Sequence, residues 1–296
     1  MLSSTIATFA LRHTMIGAAS ITLAACATVP KDDRLLTSTP DNGSVFGTRP
    51  RCPPGPRSSG RVRADAFDRG AVRVLSWNIH KAKDAGVYHD LARLAAKNDL
   101  LLLQEAVSDA PMGEVLKREG FSWEMADAFS VHGLERGVLI AARVAPVDGH
   151  ALRTYEPFFP LPKSAIVTHF RLVGRRQQLA VVDLHGINFS LGLRRFRKQL
   201  EAVAKELKHH DGPMIFAGDF NTWSVRRNNV LGEVTKRLGL VEVEPVPDDR
   251  RRAFGQHLDH LFVRGYSVVD ARSCEVKSSD HNPIEARIVA LNIANP

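Results

Sequence analysis

A set of polar residues with metal-binding or acid–base chemistry stands at the ends of short apolar runs in this chain. The set consists of Asn78, Glu105, His185, Asp219, Asn221, Asp259, Asp280 and His281. Carboxylate and amide oxygens suit a hard cation, and an imidazole can move a proton near neutral pH. The set contains no cysteine or serine nucleophile. The residue types therefore indicate metal-assisted and acid–base chemistry.

The apolar runs before these residues predict the β-strands that must position them. Residues 99–104 and 137–142 are apolar on both faces, as expected of central buried strands. Further strands are predicted at 72–77, 164–170, 178–184, 214–217, 257–263 and 284–289. Helices are predicted at 88–97 and at 193–209, where residues 196, 200, 203 and 207 form one apolar stripe. This alternation predicts an α/β domain over residues 71–292.

The net charge of the chain favours anionic partners. Its 296 residues carry a formal charge of +8, part of which lies in an arginine-rich segment at 48–73. Two arginine pairs flank the polar set, namely Arg226 with Arg227 and Arg250 with Arg251. We expect these loops to line a cleft and contact the phosphates of a substrate, and simple solvated loops are the alternative.

The first 26 residues have the pattern of a lipoprotein signal peptide. Residues 15–25 form an apolar run too short for a permanent membrane span, and Leu23-Ala24-Ala25-Cys26 resembles a bacterial lipobox. We expect Cys26 to be lipidated and to anchor the chain to a membrane of the bacterial cell envelope, facing the periplasm. Ala27 favours the outer membrane over the inner one. An ordinary signal peptide with a chance cysteine is the alternative.

Residues 27–70 are rich in Pro, Arg, Gly, Ser and Asp and show no apolar periodicity. We therefore expect a disordered linker that holds the domain away from the membrane. If Cys26 is lipidated, Cys52 and Cys274 remain as a pair. A disulfide between them and two free thiols are both open interpretations.

The motifs around the polar set resemble those of the endonuclease/exonuclease/phosphatase superfamily. They are Trp77-Asn78-Ile79-His80, Gln104-Glu105, Asp183-Leu184-His185, Gly218-Asp219-Phe220-Asn221, Leu258-Asp259-His260 and Ser279-Asp280-His281-Asn282. The uncharacterised bacterial YafD-like branch is most similar, on Lys163-Ser164-Ala165 and on residues 185–192, 219–224 and 250–255. The resemblance covers residues 72–290. It implies a DNase I-like four-layer α/β sandwich, in which two packed β-sheets are flanked by helices.

The resemblance also implies a metal site. Mg²⁺, for which Mn²⁺ could substitute, would bind Glu105 and Asn78, with Asp280 contributing from the opposite sheet. Magnesium needs only one or two carboxylates, because water and substrate oxygens complete its octahedron. His80 and Lys81 follow Asn78 in sequence, and the resemblance assigns them no role.

The remaining residues of the set have catalytic roles by resemblance. Asp219 would orient or deprotonate the attacking water, and Asn221 would donate hydrogen bonds to the transition-state oxygens. His281 would act beside the phosphate with Asp259 holding its other ring nitrogen, and His185 would assist the leaving oxygen.

These roles imply a metal-dependent phosphodiesterase, which we expect to be monomeric. The basic charge favours DNA or RNA as the substrate. A phospholipid or small-molecule phosphodiesterase, like the sphingomyelinase or inositol-phosphatase branches, is the alternative, because a lipid anchor would bring it to lipid. A noncatalytic envelope binding protein is a further alternative. It would be expected to have lost at least one residue among Glu105, Asp219, Asp259 and His281, and all four are present.

Overall fold

Two β-sheets lie at the centre of the computed structural model, which describes residues 27–38, 65–68, 70–84, 86–157, 160–190 and 192–291 and the backbone of 47–48. In chain order the strands are β1 (Ala27–Thr28), β2 (Arg34–Thr37), β3 (Gly47–Thr48), β4 (Ala71–Asn78), β5 (Leu100–Val107), β6 (Ser122–Val131), β7 (Leu134–Ala142), β8 (Asp148–Tyr155), β9 (Pro162–Phe170), β10 (Leu179–His185), β11 (Met214–Asp219), β12 (Val241–Glu242), β13 (Arg252–Ala253), β14 (Gln256–His257), β15 (Asp259–Arg264), β16 (Tyr266–Ser273) and β17 (Ile284–Ala290). The helices are α1 (Val87–Ala95), α2 (Ala110–Arg118), α3 (Arg194–Glu206) and α4 (Val225–Arg237), and a 3₁₀ turn covers His80–Ala82.

The first sheet has the strand order β16-β17-β4-β5-β7-β6-β2-β3, and β1 also pairs with β6. The second sheet has the order β12-β15-β11-β10-β9-β8, and β13 and β14 form a separate hairpin. Apolar side chains of both inner faces, such as Val74, Ile140, Val181 and Ile215, form one buried core between the sheets. The two sheets therefore pack face to face as a sandwich.

The helices cover the outer faces of the sandwich. Leu91 of α1 and Leu116 of α2 pack on the outer face of the first sheet, among residues such as Leu101. Phe196 of α3 and Val230 of α4 belong to the corresponding cluster on the second sheet. This arrangement confirms the expected four-layer α/β sandwich. No helix in the described part of the chain is long and apolar enough to span a membrane.

One edge of the sandwich collects the ends of its central strands. β4 runs parallel to β5, and β10 runs parallel to β11. Asn78 at the end of β4 contacts Asp219 at the end of β11, so all four strands end on the same side. Asn78, His185 and Asp219 are the last residues of β4, β10 and β11, and Glu105 lies near the end of β5. β9 and β15 run antiparallel to their neighbours and begin at this edge. We call it the cleft edge.

The expectation of a disordered linker over 27–70 is wrong for its first residues. Ala27 and Thr28 pair with the end of β6, and β2 pairs with β6 from Arg34 to Thr37. Leu36 is buried in the core, and Arg34 forms an ion pair with Asp127 at 2.7 Å. A short strand needs no apolar period of its own, because its neighbour in the sheet supplies the hydrogen-bonding pattern.

Most of the other linker residues lie outside the described part of the chain. So do Cys26, with the rest of the expected signal peptide, and Cys52. Phe67 is an exception within the linker, because it is buried and its backbone bridges to Leu172. Cys274 is exposed, and its pairing with Cys52 stays a prediction.

Candidate active site

Two oxygen-bearing side chains reach the cleft edge from neighbouring strands of the first sheet. Asn78 is the last residue of β4, is buried, and donates a hydrogen bond from Nδ2 to Oδ2 of Asp219 at 3.0 Å. Glu105 lies in β5 where the pairing with β7 shifts register between Leu103 and Ala106. Its φ of +54° is rare for a residue with a side chain. The bulge turns the Glu105 side chain toward the cleft, since such irregularities re-aim strand residues near functional sites.

Two lysines neutralise the Glu105 carboxylate. Nζ of Lys81 lies 2.7 Å from Oε2 of Glu105, and Nζ of Lys163 lies 3.8 Å from Oε1. Burial raises the pKa of Glu105, but the charges of Lys163 and Lys81 outweigh burial, so the pKa lies below its ordinary value. Glu105 is therefore ionised at neutral pH.

Asp219 occupies the middle of the cleft. Its Oδ2 accepts the hydrogen bond from Asn78 and lies 3.5 Å from Nε2 of His185 and 3.9 Å from Nε2 of His281. Its Oδ1 accepts a hydrogen bond from the backbone N–H of Asn221 at 2.9 Å. The preceding Gly218 has a φ of +146°, and a Cβ there would lie 2.0 Å from a backbone oxygen of β10. Glycine therefore allows β11 to bring Asp219 this close to β10.

Asp259 and His281 form a buried pair beside Asp219. Nδ1 of His281 lies 2.7 Å from Oδ2 of Asp259, and the His281 carbonyl accepts a hydrogen bond from Trp77 Nε1 at 2.9 Å. Burial lowers the pKa of His281, but the carboxylates of Asp259 and Asp219 outweigh this and raise it to about 10. His281 is thus a buried cation that points toward the centre of the cleft.

His185 has the opposite electrostatic environment. Nζ of Lys163 lies 2.8 Å from its Nε2, and burial together with this neighbouring charge lowers the pKa of His185 to about 3. The imidazole is therefore neutral over the physiological range. Asn221 lies in the same corner with a φ of +52°, and its Nδ2 donates to the carbonyl of Gly186 at 2.9 Å.

The sequence predicts that Asp280 reaches the metal from the sheet opposite Glu105, and this prediction is wrong. Asp280 lies at the rim of the cleft. It belongs to the connection between β16 and β17, which are strands of the same sheet as Asn78 and Glu105. Its side chain is half exposed, and its Oδ1 lies 3.4 Å from Nδ1 of His80. The sequence placed Asp280 wrongly because strand order within a sheet cannot be read from motif order.

Two of the four arginines expected on the substrate rim are buried, so that expectation is wrong for them. Arg227 is 1% exposed, donates to Ser190 Oγ and to the carbonyl of Ile187, and stacks 4.1 Å from the ring centroid of Phe196. Its partners are acceptors within the loop after β10, so Arg227 holds that loop in place.

Arg250 is the second buried arginine. It is 4% exposed and pairs with Glu242 at 3.1 Å and with Asp248 at 2.9 Å. Its Nη1 also donates to the backbone carbonyl of Asp259. Arg250 therefore supports the start of β15, whereas Arg226 and Arg251 are exposed as expected.

The residues at this edge fit a divalent cation. Asn78 and Glu105 offer hard oxygen ligands from adjacent strands, which suit Mg²⁺ or Mn²⁺ better than zinc. A second group of potential ligands lies nearby. It consists of one atom each from Asp219, Asp259 and His281, and these atoms lie within 4.8 Å of one another. In this structure two lysines supply the positive charge that the buried carboxylate of Glu105 requires. A bound cation would supply the same charge.

Comparison with known proteins identifies the family. Residues 75–281 match the model of the Endonuclease/Exonuclease/phosphatase family. The chain belongs to this family. Its members are metal-dependent phosphoesterases and nucleases, and they typically use divalent metal ions.

A UPF0294 protein of Vibrio parahaemolyticus is 35% identical over 271 residues, which cover 91% of this chain and 93% of that protein. A UPF0294 protein of Yersinia pseudotuberculosis is 41% identical over 216 residues, covering 72% of this chain and 82% of that protein. These relatives confirm the similarity to the YafD-like branch.

Solved structures of the family share the fold. An endonuclease/exonuclease/phosphatase from Beutenbergia cavernae aligns with a TM-score of 0.56 at 19% identity and covers 75% of this chain and 72% of that chain. The human Nocturnin catalytic domain, with a bound sulfate anion, aligns with a TM-score of 0.56 at 18% identity over 76% and 96% of the two chains. At this identity the likeness supports the sandwich fold alone.

The site contains two residues to which sequence reasoning gave no role. Lys163 is the second residue of β9 and lies beside His185, and Lys81 lies within the 3₁₀ turn and contacts Glu105. Lys163 stood in a motif of the YafD-like branch, but a lone lysine before a strand carries no chemical signal. Only the packing of the two sheets shows that it meets Glu105 and His185.

Proposed function

We propose that this chain is a metal-dependent phosphodiesterase. The observation that carries the proposal is the position of Asp219 Oδ2, which lies within 4 Å of Nε2 of both His185 and His281. A carboxylate between a neutral and a protonated imidazole provides a proton acceptor and a cationic hydrogen-bond donor at one point. Those are the groups that an in-line attack of water on a phosphate requires.

Glu105 and Asn78 would hold the metal, with Asp280 at the rim completing the set. A bound Mg²⁺ or Mn²⁺ would neutralise negative charge on the phosphate oxygens. The charge of Glu105 is available for this task, because its pKa lies below the ordinary value. Asp280 is exposed enough to move toward a cation without breaking a buried contact.

The protein side chains divide the proton chemistry between them. Asp219 would accept a proton from the attacking water, which Asn78 and Asn221 would help to orient. His281, kept protonated by Asp259, would donate a hydrogen bond to the phosphate. Neutral His185, beside the Lys163 ammonium, would assist the departing oxygen through a proton relayed from that ammonium or from solvent.

For the substrate we favour a phospholipid headgroup, with DNA or RNA as the second candidate. The expectation of nucleic acid rests on the basic net charge and on the arginine loops beside the motifs, and the burial of Arg227 and Arg250 removes two of the four arginines from that support. Exposed Arg226 and Arg251 still favour a polyanion and keep nuclease activity a candidate. Exposed Phe254, which lies beside Trp223 with ring centroids 6.3 Å apart, favours an amphiphilic substrate.

A substrate panel tests this proposal. Plasmid DNA, RNA, inositol phosphates and vesicles of sphingomyelin or phosphatidylglycerol are incubated with the protein and Mg²⁺, with EDTA, and with Asp219→Asn. Metal-dependent release of a lipid headgroup that disappears in Asp219→Asn supports the favoured substrate. Metal-dependent cleavage of DNA or RNA alone assigns a nuclease. Hydrolysis that persists in EDTA or in Asp219→Asn contradicts the proposed chemistry.

A further inference from the structure

Aromatic side chains are exposed only at the cleft edge in the part of the chain that the structure describes. They are Tyr155, Phe189 and Phe254, with exposures of 50%, 54% and 89%. Tyr155 ends β8 opposite the start of β9, and Phe189 lies in the loop after β10. Phe254 forms the tip of the β13–β14 hairpin together with Gly255. Exposed aromatic residues concentrated on one surface mark an interaction site and not ordinary surface scatter.

Phe189 and Phe254 border an apolar groove next to the candidate active site. The groove has a volume of about 570 Å³. Its walls include Asn221 and Trp223 as well as the two phenylalanines. At the hairpin tip, Phe254 has a φ of +49° and Gly255 a φ of +78°, as in the tight turn of a two-residue hairpin. The turn leaves the Phe254 ring largely exposed at the border of the groove, beside Trp223.

Exposed arginines stand next to these apolar residues along the chain. They are Arg194, Arg195, Arg226, Arg251 and Arg252. The first two begin α3 after the loop that carries Phe189, and Arg226 stands in the first turn of α4. Among the described residues none of the five has a carboxylate within ion-pair distance, in contrast to Arg250. Apolar and unpaired cationic groups therefore occupy the same face.

The start of the described chain lies at the same edge. Ala27 pairs with Val131, the last residue of β6, and β6 turns there into β7. The first residues of β7 extend past the end of β5, because Arg136 pairs with Val107. Cys26 directly precedes Ala27, and consecutive Cα atoms are about 3.8 Å apart. A lipid on Cys26 would therefore be attached next to this edge.

We infer that the cleft edge is a docking surface for an anionic phospholipid bilayer. Phe189 and Phe254 enter the interface between headgroups and acyl chains, where aromatic side chains are favoured. The five arginines contact the phosphates of anionic lipids. The lipid expected on Cys26 enters the same leaflet on the other side of the cleft. Because β1 and β2 are part of the sheet, the domain is held at the bilayer with its cleft facing the headgroups.

Vesicle binding tests this inference without any catalysis. A chain that begins at Ala27 keeps every described residue and lacks the expected lipid, so it reports on the surface alone. It also carries Asp219→Asn, and EDTA is present. Sedimentation with vesicles of phosphatidylcholine and phosphatidylglycerol in equal parts is compared with pure phosphatidylcholine. We expect binding to the anionic vesicles that weakens as the salt concentration rises.

A matched pair of double variants locates the surface. Phe189→Asp with Phe254→Asp should lower the vesicle affinity by at least about tenfold, because two aromatic rings leave the interface. Val241→Asp with Leu291→Asp makes the same charge change on exposed apolar residues away from the cleft edge and should leave most of the binding intact. Arg251→Gln should lower the affinity by about fivefold. Thermal unfolding of each variant confirms that the fold is retained.

Three results would overturn the inference. The first is an absence of binding to anionic vesicles, and the second is equal loss of binding in the two double variants. The third is binding of single-stranded DNA that depends on Phe189 and Phe254 without any vesicle binding, which would make the surface a base-stacking platform. None of these results depends on hydrolysis, so the proposed phosphodiesterase activity can fail or stand separately.

Discussion

The carboxylate of Asp259 lies 2.7 Å from the His281 imidazole, although the two residues come from different sheets of the sandwich. β15 begins at Asp259 in the second sheet, and His281 precedes β17 in the first. The pair therefore joins the two halves of the fold at the cleft edge. The arrangement keeps His281 protonated at neutral pH and directs its other ring nitrogen toward Asp219.

Asp259→Asn should lower kcat by about 10²-fold to 10⁴-fold, because the amide cannot hold His281 as a cation. KM should change little, since Asp259 would act through His281. The pKa of His281, followed by histidine NMR, should fall from its raised value. Asp270→Asn, on an exposed edge strand, serves as the control and should behave as the unaltered protein. An unchanged kcat in Asp259→Asn would remove this pair from the mechanism.

Glu105→Gln should weaken metal binding, because it removes the buried charge that the cation would contact. The dissociation constant for Mg²⁺ or Mn²⁺, measured by calorimetry, should rise by at least about tenfold. Glu114→Gln, on the exposed face of α2, should leave it unchanged. Equal metal affinity in both variants would show that the cation binds elsewhere.

Arg227→Met should destabilise the fold although it touches neither substrate nor metal. It leaves the carbonyl of Ile187 and the hydroxyl of Ser190 without a buried donor. We expect the free energy of unfolding to fall by about 2–4 kcal/mol. Arg226→Met, one position earlier and exposed, should change it by less than about 0.5 kcal/mol. Urea denaturation of both variants checks the difference, and a similar small effect in both would contradict the structural role of Arg227.

Asp183→Asn should make stability less dependent on pH. Asp183 is buried between the sheets, accepts a hydrogen bond from Gln104 at 2.6 Å, and has a pKa that burial raises well above the ordinary value. The contribution of such a carboxyl group to the free energy of unfolding is complete at pH values below its pKa in the unfolded chain. It is lost as the pH rises toward its pKa in the folded protein, because over this range only the unfolded chain ionises. The variant should therefore gain stability relative to the unaltered protein at neutral pH, and the difference should shrink near about pH 4.

Thermal unfolding across this pH range measures the effect of Asp183→Asn. Asp270→Asn, an exposed substitution, should run parallel to the unaltered protein. A pH dependence that is the same in all three proteins would mean that Asp183 ionises within the folded state.

The sandwich and most of the site could be predicted from the sequence because they depend on local patterns. The run at 99–104, which is apolar on both faces, indicates a central strand, and its residues 100–104 lie in β5. A strand predicted at 257–263 is in fact β14 and β15, because Leu258 separates the hairpin from the sheet.

The features that the sequence missed depend on tertiary contacts. β1 and β2 have no apolar period, and only pairing with β6 makes them strands. The sequence of Arg226-Arg227 does not distinguish an exposed guanidinium from one buried against Phe196. Likewise, Phe254 appears in a motif of the YafD-like branch, but its exposure at a hairpin tip follows from the turn.

Hydrolysis of bis-p-nitrophenyl phosphate tests whether the protein is a metal-dependent phosphodiesterase, because this soluble phosphodiester needs neither a membrane nor a nucleic-acid site. We expect release of nitrophenol with Mg²⁺ or Mn²⁺, none with EDTA, and a loss of at least about 10²-fold in the rate of Asp219→Asn. Asp211 is exposed and lies just before β11, the strand that ends at Asp219, so Asp211→Asn should keep the full rate. Equal rates in Asp219→Asn and Asp211→Asn, or turnover that survives EDTA, would contradict the proposed phosphodiesterase activity.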